Sequence, residues 1–134
     1  MKRKTTLLLL ILVLVATVIL NCSRQKEDAL IGCFKVEAGL KFKIDKNTDQ
    51  YFFTILDKDN PSESEKMYVP PREDLQALFE KDTETIKSYL VGENDSFGIF
   101  QINDTDKFMG EKPKSEFFVL MGFLQMYAEK TECE

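Results

Sequence analysis

Leu40, Phe42 and Ile44 alternate with Lys41, Lys43 and Asp45, the period-two pattern of a strand with one buried face. Gln50–Leu56 (QYFFTIL) reads as its hairpin partner across the turn Lys46-Asn47-Thr48-Asp49. Upstream, Leu30–Val36 reads as a first strand, with Gly32 at a bend or a close approach. Downstream, the polar loop Asp57–Lys66 carries the turn signal Asn60-Pro61 and leads to a short strand at Met67–Val69. Pro70-Pro71 then punctuates the chain, and the pattern changes period. Arg72–Lys81 is predicted helical, with Glu73 and Asp74 in its first turn, Lys81 in its last, and one apolar stripe of Leu75, Leu78 and Phe79.

Two stretches fit both periods. In Thr83–Val91, Ile86, Tyr89 and Leu90 suit a helix, whereas Ile86, Ser88 and Leu90 suit a strand face. The turn Gly92–Ser96 and the strand Phe97–Ile102 (FGIFQI) favour a second hairpin. Another polar loop covers Asn103–Lys107, and Gly110–Ser115 makes a further turn. Phe117–Ala128 (FFVLMGFLQMYA) is the most apolar part beyond residue 21. Its aromatics favour one strand with Gly122 as a bulge; its Leu, Met and Ala residues keep a helix open. Paired with the first strand, it would close the sheet. The fold class expected is α+β, mostly antiparallel β, a small curved sheet or barrel with one packed amphipathic helix.

Before these elements lies a segment of another kind. Lys2, Arg3 and Lys4 precede 14 uncharged residues, Leu7–Leu20, and Asn21-Cys22-Ser23 follows directly. That length suits a signal core and falls short of the roughly 18 apolar residues of a spanning helix. The stretch Ile19-Leu20-Asn21-Cys22 resembles the bacterial lipoprotein signal, which sets an aliphatic residue three positions before an obligatory cysteine. Asn21 stands where that family prefers Gly, Ala or Ser. The resemblance implies diacylglycerol on the Cys22 thiol, cleavage before Cys22 and a further acyl chain on its amine. Each buried CH₂ contributes about 0.8 kcal/mol, so two or three chains make a stable anchor. An uncleaved signal anchor is the alternative. The organisation expected is a signal peptide over 1–21, a lipidated cysteine and tether over 22–29, and one globular domain over 30–134. Ser23 after the cysteine implies, by the same resemblance, an outer-membrane location, facing the periplasm or the cell surface.

Loss of the three basic residues of the signal takes the formal charge from −5 to −8. That balance argues against nucleic acid, which needs clustered Lys and Arg. With Cys22 acylated, Cys33 and Cys133 remain, and an even pair in an exported domain normally forms a disulfide; two free thiols are the alternative. The chain has no histidine, which removes Ser-His and Cys-His pairs and the commonest zinc ligand. Asp45, Asn47 and Asp49 match the first three positions of a calcium loop, but Gln50 and Leu56 stand where Gly and Glu belong, so an Asx-rich turn is the better reading. The paired acids Asp57/Asp59, Glu63/Glu65 and Asp104/Asp106 read as solvated loops. No cofactor or metal is indicated.

Phe34, Phe42, Tyr51, Phe53, Phe97, Phe100, Phe117, Phe118 and Phe123 fall on expected strands and read chiefly as core. A Gly-containing first strand, up-and-down hairpins, one helix and a terminal strand give a faint resemblance to lipocalin-type lipoproteins, which implies a barrel cavity for a small apolar ligand. The function expected is a non-catalytic envelope lipoprotein held to the membrane through its lipid and acting on a protein partner. The alternative is a lipocalin-like binder of a small hydrophobic molecule.

Overall fold

A computed structural model describes residues 26–60 and 62–134; the signal segment, Cys22 and the start of the tether lie outside them. Among the described residues the alternating stretches become walls of a closed antiparallel barrel of eight strands, each paired with its neighbour in sequence and the last with the first. They are β1 (Gly32–Val36), β2 (Lys41–Asn47), β3 (Gln50–Ile55), β4 (Glu65–Tyr68), β5 (Ile86–Gly92), β6 (Phe97–Ile102), β7 (Phe117–Met121) and β8 (Leu124–Thr131). One helix, α1 (Arg72–Phe79), and a 3-10 stretch, Glu80–Thr85, join β4 to β5. Each strand is paired on both sides, and the β4–β5 junction is the shortest, resting on Met67 opposite Gly92 and Tyr68 opposite Val91.

The predicted hairpin of residues 40–56 is present, with Phe42 opposite Ile55 and Ile44 opposite Phe53. The second hairpin is β5–β6, settling 83–91 as a 3-10 turn followed by strand. Three expectations are corrected. Leu30 does not begin β1; Glu27–Leu30 is a 3-10 turn whose leucine is fully buried under one end of the barrel. In that turn Asp28 accepts hydrogen bonds from Lys46 Nζ at 2.9 Å and Tyr51 Oη at 3.1 Å. Phe117–Ala128 is not one bulged strand but two strands joined at Gly122-Phe123, with Met121 opposite Leu124. Gly122 has φ +59° as the first residue of this two-residue turn, a position glycine fills without strain. The helix ends two residues early, at Phe79, because Glu80 turns to φ +50°.

The nine aromatic side chains divide three ways. Phe34, Phe42, Tyr51, Phe53, Phe97 and Phe117 point inward and join one buried cluster with Leu30, Ile44, Leu90, Ile99 and Val119. Their rings touch in a chain: Phe34–Phe42 at 5.3 Å between centroids, Phe42–Phe97 at 5.2 Å, Phe53–Phe97 at 3.8 Å and Phe34–Phe117 at 5.1 Å. Phe100 and Phe118 face outward, where α1 covers them with Leu75 and Phe79. Phe108, in the loop after β6, completes this outer layer and is fully buried. Phe123 belongs to neither layer and stands wholly in solvent.

Burial raises the phenols of Tyr51, Tyr89 and Tyr127 above the ordinary tyrosine range. Folded, they keep their protons after the unfolded chain has shed its own, so stability is full below about pH 10 and declines as pH rises through the folded values. Urea unfolding is expected to give a lower midpoint at about pH 11 than at about pH 8, with phenolate absorbance growing as the chain unfolds. Equal midpoints would contradict the burial of these rings.

Candidate functional site

A groove of about 380 Å³ runs between α1 and the outer face of the barrel. Pro70-Pro71 start the helix and the Glu80 kink stops it, so α1 lies against β6 and β7 with Leu75 and Phe79 inward. Leu78, assigned by its spacing to the same apolar stripe, is instead 63% exposed on the groove wall. The opposite wall is Val91, Phe100 and Leu120, and Gly98 and Gly122 form part of the floor. A side chain at Gly98 would press within 3.0 Å of the Phe100 ring, so glycine there preserves the hollow.

Exposed apolar groups collect around this groove. Among the described residues the large exposed ones are Tyr68, Val69, Leu78, Met109, Phe123 and Leu124. Tyr68 and Leu78 line the groove, Val69 sits between the lining residues Tyr68 and Pro70, and Phe123-Leu124 continue from the lining Gly122. Only Met109 is apart from them. Single exposed apolar residues are ordinary, whereas a contiguous group marks an interaction surface. The tip is fastened as well: Gly122 N donates to Ser96 O at 2.8 Å, tying the β7–β8 turn to the β5–β6 turn. Ser96, Phe97 and Gly122 also line a second hollow, of about 400 Å³, at this mouth of the barrel.

The rim is acidic. Tyr68 Oη donates to Asp95 Oδ1 at 2.9 Å, and this bond raises the Tyr68 phenol, with slight burial and the negative charges of Asp95 and Asp74 adding to it. Both carboxylates therefore act on one exposed phenol. Glu63 and Glu65 border the second hollow.

Cys33 and Cys133 are joined in a disulfide with Cα atoms 5.3 Å apart. Cys33 faces outward from β1 yet is buried, since the tail beyond β8 folds over it. Cys22 is outside the described residues. The Asx-rich turn does not gather ligands: Asp45 pairs with Lys43 at 2.7 Å. Among the described residues no three of His, Cys, Asp and Glu converge as metal ligands. The loop acids cap their own turns, Asp57 Oδ1 accepting from Asp59 N at 3.0 Å and Asp106 Oδ2 from Asn103 Nδ2 at 3.0 Å. No described helix is long and apolar enough to cross a membrane.

Sequence reasoning missed Leu78, Phe123 and Tyr68 as surface groups. A signal existed for one: Gly122-Phe123 as a two-residue turn would have exposed the ring. No family model matches the chain, and no curated protein or solved structure compared with it does.

Proposed function

We propose that the protein is a non-catalytic envelope lipoprotein, anchored through acylated Cys22 and acting on a protein partner through its exposed apolar groove. The observation that carries the reading is the apolar groove with Tyr68 and Leu78 exposed on its walls, and with the exposed Val69, Phe123 and Leu124 next in the chain to its lining residues. Its position supports the anchor too. Strand β8 starts at the Gly122-Phe123 tip and ends at Thr131 beside Cys33, so its eight residues separate the tip from the disulfide by roughly 25 Å. The Glu27–Leu30 turn, where the chain enters, packs near Lys46 and Tyr51 at the end remote from that tip. A lipid on Cys22 then leaves the tip directed away from the bilayer.

A small apolar ligand inside the barrel is the weaker reading, because Phe34, Phe42, Phe53 and Phe97 occupy that space ring against ring. Metabolic labelling with a radioactive fatty acid tests the anchor. Label is expected in the wild type and none in Cys22→Ser, which should also leave the membrane fraction. Label retained by Cys22→Ser, or absent from both, would remove the anchor from the proposal.

A further inference from the structure

The lining of the groove and of the adjoining mouth contains four acidic residues, Asp74, Asp95, Glu63 and Glu65, and no lysine or arginine. Among the described residues, none of the four is in an ion pair. An apolar trough with an uncompensated negative rim is complementary to apolar side chains that arrive beside positive ones. We infer that the groove docks a short apolar segment of a protein that carries lysine or arginine next to its apolar residues. The inference rests on the interaction role proposed above and adds the chemistry of the partner.

Volume and charge select that occupant. About 380 Å³ lies at the lower end of the roughly 300–1,000 Å³ typical of ligand sites, room for a few side chains and not for a folded surface. A second copy meeting this one through the same groove about a two-fold axis would set one acidic rim against another, since the same patch meets itself. An anionic headgroup layer would meet the same four carboxylates. The exposed Phe123 and Leu124 beside the trough extend the apolar contact beyond it, and the fastened tip holds them ready without further ordering.

The test uses the full chain in nonionic detergent and a fluorescent octapeptide that repeats Lys-Leu-Phe-Lys, with empty micelles as the blank. The matched probes replace its lysines by glutamate, or its apolar residues by serine. The lysine peptide is expected to bind at least about tenfold tighter than either. Leu78→Asp and the double change Asp74→Asn/Asp95→Asn should each weaken it several-fold, the second more at low salt than at high. Leu78 is exposed and Asp74 lies at the surface of α1, so an unchanged circular dichroism spectrum will show that folding is intact. Equal binding of the glutamate peptide, or lysine-peptide binding untouched by these variants, would overturn the inference. So would a dimer in sedimentation that Leu78→Asp dissolves, because the occupant would then be a second copy. Photo-crosslinking separates this inference from the broader proposal. A defined protein neighbour captured from Lys58 or Met109, with none from Leu78 or Phe123, would leave an interaction module standing and remove the groove as its site.

Discussion

Cys133→Ser is expected to destabilise the domain by about 3–5 kcal/mol. The bond closes a loop between residues 100 apart, and chain entropy alone gives about 4.7 kcal/mol for a loop of that length. Its place in the topology adds a local consequence. The barrel is completed by β1 against β8, with Cys33 opposite Thr131 and Val36 opposite Ala128, which joins the two ends of the domain. Every other pairing unites neighbours in sequence and costs little loop entropy, so the seam is where closure is most expensive. The disulfide sits at that seam. Reductant should lower the melting temperature of the wild type to that of Cys133→Ser and leave the variant unmoved. Hydrogen exchange in reduced protein should quicken first at Cys33–Val36 and Ala128–Thr131, before the β5–β6 hairpin. Uniform quickening of all strands, or a loss under 1 kcal/mol, would show that the seam holds without its bond. The ion pair Lys41–Glu134 at 3.4 Å is exposed and does not replace it.

Much of this architecture was legible because alternation is a local signal. Phe42 and Ile44 on one face of β2, and Phe53 on the facing strand, could be assigned inward from the charged residues between them. The mostly antiparallel sheet with one short helix is the coarse form of what the pattern suggested, and the pairing of Cys33 with Cys133 agrees with the sequence reading; the closure into eight strands goes beyond it. What stayed hidden depends on contacts between distant elements. A strand buried on both faces does not alternate, so β6 and β7 showed no boundary between barrel interior and outer layer. Phe100 and Phe118 could not be distinguished from Phe97 and Phe117 before α1 was placed over them. Phe108 was hidden in a polar loop for the same reason. The β7–β8 turn was missed because Met121-Gly122-Phe123-Leu124 has no polar punctuation; the turn needs glycine first and tolerates a phenylalanine second. That single misreading kept Phe123 among the core candidates. Leu78 was misplaced by a smaller margin, the few tens of degrees of helix phase that decide whether the edge of a stripe is covered. The groove is therefore built from residues whose exposure is a tertiary property.

Phe42→Ala and Phe123→Ala test that distinction with one chemical change at two places. Phe42 is fully buried, its ring 5.3 Å from Phe34, 5.6 Å from Phe53 and 5.2 Å from Phe97. Truncation removes its transfer free energy and leaves a void that three aromatic neighbours on three strands cannot easily fill, so the expected loss is about 3–5 kcal/mol. Against a total of about 5–15 kcal/mol, that brings the domain close to unfolding at ambient temperature. Phe123 has no such neighbours and its ring is entirely in solvent. Phe123→Ala should stay within about 0.5 kcal/mol of the wild type in denaturant unfolding. If the interior instead held an open ligand cavity, Phe42→Ala would cost little, since a wall residue facing space forfeits few contacts. A loss below about 1 kcal/mol at Phe42 would thus favour the cavity reading, and a loss above about 2 kcal/mol at Phe123 would show that its ring packs within the fold. The pair separates a filled barrel that works from its surface from a hollow one that works from within.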